Sequence, residues 1–80
     1  MRLDDKIITR ARLASKLSNG LELGDRTKIA LLIGVSNTNV TRALTLREGY
    51  DATFAAIAAI YGYEPGNTYG VFRKRMPIAA

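Results

Sequence analysis

The chain has 80 residues, of which 48% are hydrophobic, and carries 12 Lys and Arg against 7 Asp and Glu, a formal net charge of +5. This length allows one small domain, which buries only about 60% of its unfolded surface and would gain stability by dimerising. Without cysteine or histidine, the chain cannot form disulfides and lacks the commonest general base and metal ligand. We therefore expect no enzymatic activity, no metal and no cofactor. The positive charge favours an anionic partner.

The first predicted element is a helix over residues 4–18, capped by Asp4 or Asp5 and closed by a left-handed Gly20. Its apolar residues recur at steps of three and four: Leu3, Ile7, Ala11, Ala14 and Leu17. That spacing is typical of a helix with one face on a core. The N-terminus has no long apolar region and the longest apolar stretch covers ten residues. We therefore expect a cytoplasmic protein without a signal peptide or a membrane span.

Three further helices are predicted, over residues 26–33, 36–46 and 52–62. Their expected N-caps are Asp25, Ser36 and Asp51, because short polar side chains accept hydrogen bonds from the unpaired N–H groups of a first turn. The tail, residues 66–80, contains strand-prone residues followed by the basic run 73–75. The pattern leaves open whether this tail adds a short strand or forms a basic arm. The expected fold is thus all-α, with four or five short helices in one domain.

Residues 26–45 satisfy the local requirements of a helix-turn-helix. A small residue, Ala30, occupies the position where the second helix must cross closely. Four residues later, Gly34 allows the positive φ that the turn requires. Apolar residues fall where the two helices should lock together: Ile29, Ile33, Val35, Val40 and Ala43. We therefore predict that the helices over 26–33 and 36–46 form a tightly packed corner.

The outward face of the helix over 36–46 should present polar side chains: Asn37, Thr38, Thr41 and Arg42. Such groups hydrogen-bond well to base edges and phosphates in a major groove. Asn and Thr are poor helix formers, so a merely solvated face would favour Glu, Lys or Gln. This pattern predicts that the helix reads DNA.

The segment RTKIALLIGVSNTNVTRAL, residues 26–44, resembles the helix-turn-helix of phage Cro proteins and the wider Cro/CI-type repressor family. The resemblance implies a DNA-binding regulator that acts as a homodimer on a palindromic operator. Asn37 and Thr38 match the family's principal base-reading positions, and Thr41 and Arg42 match further base or phosphate contacts. Residues expected to contact the DNA backbone are Arg26, Lys28, Ser36, Asn39 and Arg47. Arg26 replaces a frequent glutamine, which favours a phosphate contact at that position.

Other interpretations remain open. Ser36 and Asn37 could simply cap a helix, and the basic residues could be solvated surface charges. An antitoxin-like or excisionase-like protein would also bind duplex DNA. A helical protein-interaction module would use apolar residues instead: Leu31, Leu32, Tyr61 and Tyr63. Leu31 and Leu32 would otherwise pack on the first helix. We expect neither a membrane partner nor a small-molecule substrate.

Overall fold

A computed structural model describes residues 7–75 of the chain. Over these residues it contains four helices and one antiparallel sheet of three strands. In chain order the elements are β1 (Ile7–Thr9), α1 (Arg10–Gly20), α2 (Asp25–Ile33), α3 (Asn37–Leu44), α4 (Asp51–Ile60), β2 (Tyr63–Pro65) and β3 (Val71–Lys74). The fold is therefore mixed α and β, and the all-α expectation is wrong.

The sheet joins the two ends of the described chain. Its strand order is β1-β3-β2, and β3 pairs antiparallel with both neighbours. Ile8 and Pro65 both lie opposite Phe72, which places these three residues on the same face of the sheet. Pro65 is tolerated because β2 is an edge strand, where its missing N–H costs no bond in the sheet interior. For residues 71–74, the strand alternative is confirmed.

The N-terminal helix begins later than the sequence pattern predicts. Residues 7–9 are β1, rich in β-branched side chains that favour strands. Helix α1 starts at Arg10, and the hydroxyl of Thr9 caps it by accepting a hydrogen bond from the Arg12 N–H at 3.3 Å. The proposed caps Asp4 and Asp5 lie outside the described residues. The buried residues of α1 are Leu13, Ala14 and Leu17, whereas Ala11 is exposed.

The N-caps predicted for α2 and α4 are each wrong by one residue, and the predicted left-handed glycine at the end of α1 is also wrong. Gly24 and Tyr50 are the N-caps of α2 and α4, so Asp25 and Asp51 are first-turn residues. Their carboxylates still lie where the positive end of the helix dipole favours them. Gly20 is the last residue of α1 rather than a left-handed residue, because the chain leaves in an extended conformation at Leu21. For Ser36 the cap prediction is confirmed.

The core lies between the helices and one face of the sheet. Its fully or nearly fully buried members are Leu13, Ala14, Leu17, Ile29, Ala30, Val40, Ala43, Leu44, Phe54, Ile57, Ala58, Tyr63 and Phe72. Phe54 of α4 packs edge-to-face on Phe72 of β3, with ring centroids 5.2 Å apart. This pair connects the helices to the sheet.

Arg10, at the start of α1, joins three elements through polar contacts. Its Nη1 lies 2.7 Å from Asp51 Oδ1, and its guanidinium lies 5.4 Å from the centroid of the Phe54 ring. The other carboxylate oxygen of Asp51 accepts a 2.6 Å hydrogen bond from the hydroxyl of Tyr69, in the loop between β2 and β3. Arg10 is mostly buried, so Asp51 supplies the countercharge that this guanidinium needs.

The hydrogen bond from Tyr69 to Asp51, together with the negative charge of that carboxylate, raises the pKa of Tyr69 above its ordinary value of 10.0. Because folding raises this pKa, the hydrogen bond from Tyr69 to Asp51 contributes its full stabilisation at any pH below the pKa that Tyr69 has in the unfolded chain. That stabilisation is lost as the pH rises through the pKa that Tyr69 has in the folded protein. In a site-resolved NMR titration of the tyrosine rings, the Tyr69 phenol should ionise above pH 10.0 in the folded protein. In the urea-unfolded protein the same phenol should ionise at a lower pH, and equal ionisation in the folded and unfolded chains would contradict the assignment.

Gly34→Ala should destabilise the domain. Gly34 has φ of 75°, and a Cβ added there would meet nothing within 4 Å. The variant therefore loses stability through backbone strain alone. Alanine also lowers the conformational entropy of the unfolded chain, which offsets part of this strain, so the net loss should be about 1 kcal/mol. Gly20→Ala is the matched control: it has equal space, lies in α1 and lacks a positive φ, so it should stabilise by about 0.5 kcal/mol. Urea unfolding measures the change in the free energy of unfolding for both variants. Changes of the same sign would contradict the assignment of strain to Gly34.

Candidate nucleic-acid interface

The corner between α2 and α3 has the predicted geometry. Gly34 adopts the left-handed conformation, and its N–H donates to the carbonyl of Ala30 at 2.8 Å. The N–H of Val35 donates to the same carbonyl at 3.0 Å. Ser36 then begins α3 by accepting a hydrogen bond from the N–H of Asn39 at 3.2 Å. Because Ala30 is small and buried, α3 can pack closely on α2 at this point.

Helix α3 has one buried face and one exposed face. Val40, Ala43 and Leu44 enter the core. The side chains predicted to read bases all lie on the exposed face: Asn37, Thr38, Thr41 and Arg42. The structure therefore brings these four residues together at the surface, on a helix held rigidly by its opposite side. That is the placement a groove-reading helix requires.

The amide of Asn37 is held by a residue of α2. Its Nδ2 donates to the hydroxyl of Thr27 at 3.0 Å. An amide has one acceptor oxygen and two N–H donors. This contact leaves Oδ1 and the second N–H of Asn37 for another partner. An amide with one acceptor and one donor presented together matches the edge of adenine in the major groove.

Arg42 is held by a residue beyond α3. Its Nη1 donates to the hydroxyl of Tyr50 at 2.8 Å, and its guanidinium carbon lies 5.9 Å from the centroid of that ring. Sequence analysis identified Asn37 and Arg42 but missed Thr27 and Tyr50. These partners lie ten and eight residues away along the chain, so no local spacing signals them.

The residues predicted to contact the DNA backbone have mixed surroundings. Lys28 and Arg47 are exposed, and Arg26 and Asn39 are half-buried. The hydroxyl of Ser36 accepts the capping hydrogen bond of α3, so the cap predicted at this residue is confirmed, and its own proton stays available to donate. Arg47 follows Leu46, whose φ of 63° is unusual for a leucine. The N–H of Arg47 donates to the carbonyl of Arg42 at 2.9 Å, which holds the backbone at Arg47 against the end of α3.

Within the described part of the chain, the basic side chains around α2 and α3 lack the ion pairs that three arginines near the sheet make. Ion pairs within residues 7–75 join Arg10 to Asp51, and Arg73 and Arg75 to Glu64. Over the same residues, the basic side chains around the corner form no ion pair: Arg26, Lys28, Arg42 and Arg47. Their charge is therefore not neutralised by a carboxylate of this part of the chain, and it can act on an anionic partner.

Two apolar side chains of α2 lie at the surface. Leu31 is 78% exposed and Leu32 is 71% exposed, so neither packs on α1. Tyr61 is partly exposed, whereas Tyr63 is 6% exposed and belongs to the core. An interaction surface of the kind considered above would therefore lack Tyr63.

Within residues 7–75, no three acidic side chains gather in a way that could hold a metal ion. Among these same residues, each helix is too short to cross a membrane. No family model, no curated protein and no solved structure matches the chain.

Proposed function

We propose that the protein binds duplex DNA in a sequence-specific manner and acts as a transcriptional repressor. The proposal rests on helix α3, which has an exposed polar face opposite a buried apolar face. The left-handed turn at Gly34 precedes this helix and sets its direction. A helix of this kind can enter a major groove about 12 Å wide with its N-terminal residues against the bases.

In this proposal the side chains divide into two groups. Asn37, Thr38, Thr41 and Arg42 read bases, and Thr27 and Tyr50 hold two of these readers in place. Arg26, Lys28 and Arg47 contact phosphates, with Ser36 and Asn39 alongside them. Each phosphate contact releases counterions, so the affinity for DNA should fall as the salt concentration rises. The logarithm of the binding constant should fall with the logarithm of the salt concentration at a slope of about −0.9 per contact.

The proposed mechanism is steric. Two protomers occupy half-sites about one helical turn apart, roughly 34 Å, and exclude polymerase from the DNA between and beside them. Dimerisation would also compensate for the limited core of a chain this small. An antitoxin or an excisionase would use the same interface on DNA, and would differ in the genes that surround its binding site.

The decisive experiment is selection of bound fragments from a random duplex pool, read by sequencing. Enrichment of a palindromic consensus with two half-sites is the expected result, and it tests specificity and two-fold symmetry together. Enrichment of nothing, in low-salt buffer and with folded protein, would refute the proposal.

A second candidate function rests on the exposure of Leu31 and Leu32. Large exposed apolar side chains side by side are typical of protein interaction sites. A protein-interaction module would bind a partner through α2 and would shift no DNA. Replacing both leucines by Gln should abolish that binding, whereas it should leave contacts made by the exposed face of α3 intact.

A further inference from the structure

A basic groove lies between α1 and the end of the sheet. It has a volume of about 530 Å³ and is lined by Ile7–Thr9, Arg12, Lys16, Tyr63 and Lys74. None of these residues belongs to α2 or α3. The groove is therefore built from elements other than those of the proposed DNA interface.

Tyr63 lines this basic groove and lies beside two ammonium groups. Its hydroxyl accepts a 2.9 Å hydrogen bond from Nζ of Lys16. Nζ of Lys74 lies 5.0 Å from the centroid of its ring. Tyr63 is 6% exposed, so its hydroxyl is fixed in position by the core. A phenol that accepts from Lys16 keeps its own proton to donate to a ligand.

The basic groove gathers three positive charges. Arg12 and Lys16 are four residues apart on α1, a spacing at which like charges destabilise a helix. Lys74 brings a third positive charge from β3. Among residues 7–75, no carboxylate lines the groove and none of the three cations forms an ion pair. A concave surface of one charge sign concentrates the field and attracts anions.

The basic groove continues into a second, more apolar hollow. This hollow has a volume of about 250 Å³, and Leu17, Gly20 and Tyr61 line it together with the residues it shares with the groove, Lys16, Tyr63 and Lys74. Lys16 and Lys74 thus lie where the basic groove meets the more apolar hollow. A ligand that fills both regions has an anionic group joined to an apolar or aromatic group.

We propose that the basic groove binds a small organic phosphate of mononucleotide size. The phosphate oxygens accept hydrogen bonds from Arg12, Lys16 and Lys74, which are the donors that bind phosphate most strongly in proteins. The organic part lies in the hollow against Leu17 and Tyr61. This proposal goes beyond the proposed DNA binding and does not depend on it.

The test uses the full chain labelled with nitrogen-15 and three probes: adenosine monophosphate, adenosine and inorganic phosphate. Adenosine monophosphate should shift the amide signals of α1, β2 and β3 in a saturable manner. Adenosine and inorganic phosphate should each bind at least about 10-fold more weakly, because each lacks one half of the ligand. Absence of saturable shifts with adenosine monophosphate, or equal binding of either fragment, would overturn the proposal.

Charge variants separate recognition from general attraction. Arg12→Gln and Lys74→Gln should each weaken binding of adenosine monophosphate about 10-fold, the loss typical of one charge-assisted contact. Arg73→Gln removes the same charge from the opposite face of β3 and should change that affinity by less than about 2-fold. Arg12 and Arg73 are both exposed, so neither variant disturbs the core. Equal weakening by Arg12→Gln and Arg73→Gln would show that only net charge matters, and would also overturn the proposal.

Discussion

Asn37→Ala should weaken binding to the selected duplex by about 1–3 kcal/mol, or roughly 5- to 150-fold, and should make one base position of the consensus degenerate. Asn37 is exposed on α3, and its amide is oriented by Thr27. The variant removes an acceptor and a donor that would face a base edge, while the buried face of α3 is unchanged. Fluorescence anisotropy with the consensus duplex and with single-base variants measures both effects.

Two matched variants make this result specific. Asn19→Ala makes the same chemical change at an exposed position of α1 and should leave DNA affinity unchanged. Lys28→Ala should weaken all duplexes alike and reduce the salt slope by about 1. An Asn37→Ala protein with full affinity for the consensus would remove Asn37 from the set of readers.

The contact between Thr27 and Asn37 allows a sharper version of the same experiment. Thr27→Val removes the hydroxyl that orients the amide of Asn37, whereas Thr27→Ser keeps it. The valine variant should bind the consensus duplex more weakly, and the serine variant should bind it as the unmodified protein does. Because Thr27 acts through Asn37, the double variant with Asn37→Ala should be no worse than Asn37→Ala alone. Additive losses would mean that Thr27 contacts the DNA independently.

The helical corner could be predicted because its determinants are local. Gly34 and Ser36 each act on backbone groups within four residues, through a positive φ and a cap. Ala30 identifies the crossing point by its size. These requirements can be read from a short stretch of sequence, and the structure has α2, the turn and the start of α3 where that stretch predicts them. Helix α3 ends at Leu44, two residues before its predicted end.

The sheet could not be predicted in the same way. β1 and β2 have three residues each, too few for an alternating pattern to stand out. The pairing of Ile8 with Phe72 joins two strands from opposite ends of the described chain. Ile7 also continued the helical spacing of the N-terminal segment by coincidence, which extended the predicted helix into β1. The sequence does not indicate the side-chain partners Thr27 and Tyr50 for a related reason, since only the packed fold brings them to Asn37 and Arg42.

The sheet is nevertheless part of the single core, and Phe54→Ala should demonstrate this. Phe54 is fully buried, packs on Phe72 of β3 and lies beneath the guanidinium of Arg10. Truncation should cost about 3–5 kcal/mol, a large part of the 5–15 kcal/mol typical of a folded domain. Ile60→Ala, on the exposed side of the same helix, should cost about 1 kcal/mol or less because that side chain is 40% exposed.

The shape of the unfolding transition carries as much information as its midpoint. Phe54 touches a strand, and its own helix, α4, packs against α3 and β2. Circular dichroism reports unfolding of the helices, and the amide signals of β3 report unfolding of the sheet. If helices and sheet share one core, Phe54→Ala should lower the urea midpoints of both transitions by the same amount. If the β3 signals were lost first while the helical signal kept the midpoint of the unmodified protein, the sheet would be an appendage to an independent helical domain. Coincidence of the two transitions would therefore show that the corner formed by α2 and α3 depends on the strands for its stability.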